Sequence, residues 1–309
     1  MAGEESEIDQ VPLVSVLMPC YNHEAYVINA LESVASSDYK LIEFIFIDDA
    51  SKDNSFNLAT KWFENNKDRF VRIVCKQNEK NRGVCATSNE LYALSRGEYI
   101  SFLASDDNLL PEGISKQVSF AIKNGVDFVF TDLRLIDKSG ELVSDSAMRY
   151  FGKNGRKLAA NKFCLIVDII FNWSAPWNKT FMSSALVKKI GLYDGNLLFE
   201  DRDFIIRVLI NGSFALMLEA PMAYRIRLDG KFTPGLIYDD VLRDFRKADY
   251  KNYLNSSGLI RLLLGILVYS YEERYRELGI KNTKFIWLAT RIAGWLKRLV
   301  LKIKWALVR

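Results

Sequence analysis

Between residues 13 and 137, apolar runs of strand length alternate with segments whose apolar residues recur every three to four positions. Short apolar runs bounded by turn residues predict buried strands, and the three-to-four spacing predicts helices. "LVSVLMPCYN" (13–22) reads as a strand halted at Pro19, and "EAYVINALESVASS" (24–37) as a helix through Ala25, Ile28, Leu31 and Val34. A strand in "LIEFIFIDDASKDNS" (41–55) is followed by a helix over 55–66, a strand over 70–77, a helix over 83–95 and the strand of "EYISFLASDD". "VDFVFTDLRLID" (126–137) reads as one more strand. This alternation predicts a largely parallel, doubly wound sheet.

In such sheets ligands bind beyond the carboxyl ends of the strands. Three polar clusters fall at such ends: "PCYN", "DDASKDN" and "ASDDN". Each alone has a structural explanation, since Asp and Asn after a strand form Asx-turns or cap the next helix. Three in succession point to a site. The adjacent Asp106 and Asp107 repel unless a cation or a solvated loop separates them. Mg2+ or Mn2+ would do so, seated between the carboxylates and substrate phosphates. No GxGxxG follows the first strand and no GxxxxGK[ST] occurs, so phosphate is not held in either of those ways. Asp48 and Asp49 can accept hydrogen bonds from a base N–H or a ribose hydroxyl, and Tyr21 offers a face on which a base can stack. Together these residues predict a nucleotide-diphosphate pocket.

Composition narrows the picture. The 309 residues, 49% hydrophobic and 26% charged, suit one large α/β domain with extra elements. Residues 1–11 are polar and acidic and are expected to fray. Cys20, Cys75, Cys85 and Cys164 form no CxxC pair and no apolar leader opens the chain, which suggests a reducing, cytoplasmic setting. His23 is the only histidine, so a multi-histidine zinc site is excluded and a Ser-His-Asp triad has little support.

The net charge of +4 conceals an asymmetry: residues 281–309 carry eight Lys/Arg and no Asp/Glu, which leaves the rest of the chain acidic. A basic end on an acidic body points to a local anionic surface rather than to nucleic acid. "TKFIWLATRIAGWLKRLVLKIKWALVR" (283–309) contains no stretch of about 18 apolar residues and so cannot span a membrane. On a helix, Phe285, Leu288, Ala289, Ile292, Leu296, Leu299, Val300, Ile303, Ala306 and Leu307 share one side. Lys284, Arg291, Arg298, Lys302 and Arg309 lie away from it, with Trp287, Trp295 and Trp305 near the flanks. That pattern predicts an interfacial membrane anchor. The competing interpretation is a helix packed on the α/β domain or on a second subunit. "GLIRLLLGILVYSY" (258–271) is too short to span and is expected to pack as a helix beneath the tail.

Four stretches carry a resemblance: "VSVLMPCYN", "FIFIDDASKDNS", "NRGVCATSNELYALSRGEYISFLASDDNLLP" and "LFEDRDFIIRVL", in this order over residues 13–215. In them the chain resembles a family 2 glycosyltransferase of GT-A fold, a Rossmann-like, mostly parallel α/β sheet flanked by helices. The resemblance implies a catalytic domain over 12–235, with a nucleotide-binding half (12–110) and an acceptor half (111–235), and a C-terminal helical extension over 236–309. It implies inverting transfer of a sugar from a nucleotide-diphosphate donor, commonly a UDP-sugar, with Mn2+ or Mg2+. By position, Tyr21 and Asp48 would contact the base, with Pro19, Asn22 and Arg82 in the nucleotide-binding set. Asp106 would face the ribose or diphosphate, Asp107 the metal, and Asp201 would be the catalytic base. The acceptor-side segment is "FNWSAPWNKTF", where Trp173 and Trp177, together with Glu200, are the candidates.

Three departures stand out. Ala104 replaces the Asp that opens the DxD motif in many members, Ser88 replaces an arginine ahead of Asn89, and "YRIRLDG" (224–230) offers Arg225 and Arg227 where many members have a histidine. Inversion requires the acceptor hydroxyl to attack opposite the leaving diphosphate, with a carboxylate within about 3 Å to take its proton. Glu200, Asp201 and Asp203 could alternatively just cap and charge the first turn of a helix. The expected protein is thus a cytoplasmic glycosyltransferase, peripheral on the inner face of the plasma membrane, adding a sugar to a lipid-linked glycan in surface-polysaccharide synthesis. The alternatives are a nucleotidyltransferase, which would need a Gly-rich basic loop after the first strand, and a non-catalytic nucleotide-sugar or glycan-binding module.

Overall fold

The computed structural model describes residues 11–173, 181–197, 200–226, 238–271 and 283–308. The frayed terminus expected over 1–11 lies, but for its last residue, outside the described residues. In the interior of a seven-stranded sheet runs β1 (Val14–Cys20), parallel to β2 (Ile42–Asp48) on one side and to β4 (Tyr99–Phe102) on the other. β3 (Arg72–Gln77) extends the parallel set to one edge. Beyond β4, β9 (Phe181–Ser183) runs antiparallel between β4 and β6 (Phe128–Thr131), and β10 (Phe214–Met217) closes the other edge parallel to β6. The register pairs Cys20 with Asp48 and Asp48 with Gln77, so three strands end level and their loops emerge side by side.

Every residue of β2 is buried, as expected of a parallel strand covered on both faces. The helices flanking the sheet include α1 (Val27–Ala35), α2 (Ser55–Asn65), α3 (Gly83–Leu94), which packs on β2, and α4 (Gly113–Asn124), which packs on β6 and β10. One core face gathers Leu17, Ile45, Phe128, Phe130 and Phe204; the other gathers Val16, Met18, Phe44, Phe46 and Trp62. Glu43 and Asp48, at its two ends, are the buried polar exceptions in β2, and Glu43 is fully engaged. Its carboxylate accepts from Ser15 Oγ (2.5 Å), Gly97 N (3.1 Å), Arg96 N and Arg72 Nη1 (2.8 Å), tying together the strand starts at the end of the sheet opposite the loops above.

The apolar run 126–137 is two strands rather than one. β6 belongs to the main sheet, whereas β7 (Arg134–Ile136) joins a second sheet ordered β5 (Asn108–Leu109), β11 (Met222–Arg225), β7 and β8 (Leu142–Ser144). The break is at Asp132, a buried carboxylate that accepts from Leu133 N (2.8 Å), Met148 N (2.9 Å) and Ser146 Oγ (2.5 Å). Satisfying that carboxylate turns the chain out of the first sheet.

The C-terminal region is helical where described: α10 (Tyr238–Leu254), α11 (Gly258–Val268) and α12 (Thr283–Val308). The intervening helices are α5 (Ala147–Tyr150), α6 (Gly155–Ala160), α7 (Lys162–Phe171), α8 (Ser184–Ile190) and α9 (Glu200–Asn211). α10 packs on α9 and α11, and α12 packs on α7 and α11. Among the described residues, no helix is long and apolar enough to cross a membrane.

The expected single apolar side of α12 is divided in the structure. Ala293 and Lys304 are buried, and Val300 and Leu301 rest on the main core. Lys304 pairs with the buried Asp168 of α7, which also pairs with Lys153. Leu288, Ile292, Trp295, Leu299, Ile303 and Leu307 instead form an exposed stripe, 38–56% accessible. α12 is therefore a docked helix on one face and an exposed apolar one on another. Phe285, Trp287 and Trp305 lie, as side chains, outside the described residues.

Removing the shared carboxylate would leave two buried ammonium groups without their counter-ion. Asp168→Ala is expected to lower stability by about 3–5 kcal/mol in urea unfolding, the range for breaking a buried ion pair. A loss below about 1 kcal/mol, the scale of a surface pair, would show that Lys153 and Lys304 are not buried against it.

Candidate active site

The loops after β1 and β2 are stitched to each other. Asn22 N donates to Ser51 Oγ (2.9 Å) and Asn22 Oδ1 accepts from Lys52 N (2.8 Å). His23 N donates to Ser55 Oγ (2.9 Å) and Glu24 N to Asp53 Oδ2 (3.0 Å). Although burial opposes it, hydrogen bonds from Ser55 and from the Glu24 N–H hold the Asp53 carboxyl below its ordinary range. Asn22 has φ +55° and Ala50 φ +62°. Asn tolerates that region; for Ala it costs about 1–2 kcal/mol, so the surrounding bonds hold a strained turn in place.

Asp48 and Asp49 both face inward. Asp48 accepts from Ser51 N (2.8 Å), Ser51 Oγ (2.5 Å) and Gln77 Nε2 (3.0 Å). Asp49 accepts from Asn78 Nδ2 (2.8 Å), from Arg82 N at both oxygens (2.9 Å to Oδ1, 3.1 Å to Oδ2) and from Gly83 N (2.8 Å), so its carboxylate satisfies the amide groups that open α3. A carboxylate has about four acceptor positions, which Asp49 fills and Asp48 nearly fills. Around them, Tyr21 is 42% exposed and Pro19 half-buried. Exposed Arg82 pairs with Glu90 (2.5 Å), which also binds Lys76. The Lys76 hydrogen bond, helped by Arg82, holds the Glu90 carboxyl low.

The third loop leaves β4 through Ala104 and Ser105. Asp107 is fully buried, and its Oδ1 accepts from Arg225 N at 2.8 Å. The Arg225 side chain supports the same loop: Nε donates to Asp106 O (2.8 Å), Nη1 to Asp137 O (2.6 Å), and the guanidinium lies 4.6 Å over the Tyr26 ring. These bonds make Arg225 a buttress of the acidic pair. Arg227 lies outside the described residues, and Ser88 is fully buried, so that position offers a ligand no cation. Asp106 is half-buried, with His23 Nε2 at 3.9 Å, while His23 Nδ1 is 2.8 Å from Ser105 Oγ. His23 is thus a site residue that sequence reasoning missed; its place directly after "CYN" in a strand-end loop was the available signal. Burial pushes the Cys20 thiol up to about 12, and nearby Asp48 adds to the rise, so no thiolate nucleophile is present there.

Among the described residues, no group of three or more His, Cys, Asp or Glu could hold a metal ion by itself. The half-buried Asp106 and the buried Asp107 supply hard oxygen atoms. Such a pair fits a Mg2+ or Mn2+ that keeps some waters and takes other ligands from substrate phosphates.

Asp201 sits in the first turn of α9, half-buried, with Oδ1 accepting from Arg202 N at 2.7 Å. Its neighbours are locked. Arg202 Nε donates to Asp249 Oδ1 (2.8 Å) and Nη2 to Ile170 O (3.0 Å). Asp203 accepts from Arg207 Nε (2.9 Å) and Asn252 Nδ2 (2.8 Å). Asn89 of α3 grips Tyr193 through both its amide atoms, at 2.9 Å each, which fixes the approach to α9 relative to the helix that Asp49 caps. Trp173 packs beneath the Arg202 guanidinium (5.4 Å) and against Phe245 (6.3 Å), as a packing residue does. Trp177 and the Glu200 side chain lie outside the described residues.

A sequence profile of Glycosyl transferase family 2 matches residues 15–174. An uncharacterized glycosyltransferase of Methanocaldococcus jannaschii is 30% identical over 224 residues, covering 71% of this chain and 72% of that one. An uncharacterized glycosyltransferase of Rickettsia typhi is matched over 55% of its own length, and a hyaluronan synthase of Pasteurella multocida over 14%. Among solved structures, S. aureus TarS 1–349 in complex with UDP-GlcNAc aligns with TM-score 0.63 at 18% identity, over 91% of this chain and 79% of that one. A mannosyltransferase of Pyrobaculum calidifontis in complex with GDP-Man and Mn2+ aligns with TM-score 0.59 at 14% identity, over 92% and 74%. The fold is the GT-A fold with added C-terminal helices.

Arg225→Ala should release the loop over 104–109. Amide exchange there is expected to rise at least about tenfold with exchange in β1 and β2 unchanged. Unchanged exchange in the loop would show that Arg225 does not support it.

Proposed function

Because the chain belongs to glycosyl transferase family 2, we propose that it moves a sugar from a nucleotide-diphosphate donor, a UDP-sugar, with inversion, to a hydroxyl of a lipid-linked glycan in cell-surface polysaccharide synthesis. The observation that carries this reading is the Asp106–Asp107 pair at the carboxyl edge of a parallel sheet, buttressed by Arg225 beside the stitched loops of β1 and β2. The shared fold with a UDP-GlcNAc complex and with a GDP-Man and Mn2+ complex supports it.

In this reading, exposed Tyr21 stacks on the base, and Asp48 accepts its N–H at the acceptor position its own bonds leave open. Pro19 and Asn22 line the same loop, and Arg82 adds positive charge at the end of β3. Asp106 faces the ribose and diphosphate. Asp107 would hold Mn2+ or Mg2+, which offsets the charge growing on the leaving diphosphate. Asp201, fixed by its anchored neighbours, takes the proton of the attacking hydroxyl. Trp177 and Glu200 are retained as acceptor-side candidates, whereas the packing of Trp173 gives it a supporting place there.

The exposed stripe of α12, with exposed Arg291, Arg298 and Lys302 beside it, lays the protein on the inner face of the plasma membrane, where the lipid-linked acceptor resides. Deleting the helix would strip Lys304 from Asp168, so point changes test this better. Leu288→Glu with Ile303→Glu should abolish flotation with phosphatidylglycerol-rich vesicles and leave donor binding intact; retained flotation would remove the membrane from the proposal.

Asp201→Asn tests the chemistry. Single-turnover transfer should fall by about 10²–10⁴, the usual contribution of a positioned base, with UDP-sugar affinity within about twofold of wild type. Undiminished transfer would remove Asp201 from the mechanism, and binding without transfer by the wild type would favour a non-catalytic module.

A further inference from the structure

We propose that the groove between α11 and α12 receives the hydrocarbon chain of the lipid phosphate that bears the acceptor, an inference that rests on the lipid-linked acceptor proposed above. The groove has a volume of about 620 Å3, within the roughly 300–1,000 Å3 of small-molecule sites. Its walls are apolar: Leu262 and Ile266 from α11, and Ala289, Ile292, Ala293 and Leu296 from α12.

Small residues keep it open. Ala289 and Ala293 face it from one side, and Gly265 lines it from the other, where an added Cβ would come within 3.2 Å of the Tyr253 ring. Leu262 is 61% exposed and Ile292 51%. An open apolar trough of this kind forgoes about 25 cal/mol for each Å2 it leaves in water, which a bound chain would recover.

The surrounding charge selects the kind of occupant. Arg261 lines the groove, with its guanidinium 4.8 Å over the Tyr253 ring and Nη1 donating to Ser256 O at 3.2 Å. The exposed Arg291 and Arg298 lie on α12, which carries no acidic residue. An apolar slot lined by Arg261, on a helix pair whose α12 carries basic and no acidic residues, complements a chain that ends in a phosphate.

The position of the groove favours the acceptor's own lipid over bulk lipid. Tyr253 forms part of the wall, and its neighbour Asn252 donates to Asp203, two residues after Asp201. Asp249, one turn earlier in α10, holds Arg202. One turn of α10 therefore both walls the groove and fixes the turn that carries Asp201, the proposed base.

The test is calorimetric titration of the full chain with dodecyl phosphate and butyl phosphate below micelle formation, with UDP binding measured in parallel. Wild type should bind dodecyl phosphate at least about tenfold more tightly than butyl phosphate, and Ala289→Trp, which fills the groove, should remove that preference while UDP binding is kept. Ile292→Glu at the exposed rim should do the same and serves if the tryptophan disturbs packing. Equal affinity for the two phosphates, or a preference that survives both variants, would overturn the assignment. So would dimerisation in sedimentation that Ala289→Trp abolishes, since a second copy would then occupy the groove. Failure of wild type to bind UDP would instead count against the donor site and is read separately.

Discussion

A carboxylate removed from water needs hydrogen-bond donors around it, and at the carboxyl edge of this sheet nearly every loop is shaped by that requirement. Asp49 gathers the amides that open α3, Asp48 holds the Ser51 turn, Asp132 turns the chain from one sheet to the other, and Asp107 takes the Arg225 amide. Each acid fixes backbone that would otherwise be free. What remains at the surface, namely Tyr21, His23 and Asp106, is therefore presented by loops whose geometry is already set. Preorganised placement of this kind is what a site that binds a diphosphate needs.

The same principle joins the helical extension to the catalytic domain. Arg202 pairs with Asp249, Asn252 and Lys251 meet Asp203, and Lys304 meets Asp168. Burial pushes the Asp249 carboxyl up, against the Arg202 charge that lowers it, so this pair carries a real desolvation cost. Its structural return is a rigid acidic turn. The extension is thus part of the support of Asp201 as well as a surface of its own.

The strand ends and the acidic clusters were legible in the sequence because they rest on local patterns: the continuous apolar run of β2, the helical spacing of α1, and Asp pairs directly after apolar runs. Features set by distant partners were not. The break at Asp132 depends on Ser146 and Met148; the role of Arg225 depends on Asp106 and Tyr26; and the proximity of His23 to Asp106 depends on neighbouring strands ending level. In α12, periodicity found an apolar side but could not show that Lys304 would turn inward, because its counter-ion lies 136 residues earlier in the chain. Asp48 and Asp49 looked equivalent in sequence, and only the bonds they make separate them.

The central claim is that Asp106 and Asp107 bind the donor diphosphate through a divalent cation. It is tested most directly by calorimetric titration of UDP into the wild type and Asp107→Asn, each with Mn2+ and with EDTA. Binding by the wild type in Mn2+, weakened at least about tenfold by EDTA or by the substitution, is the expected result. Equal affinity under all four conditions would contradict the claim and leave the acidic pair as a structural turn.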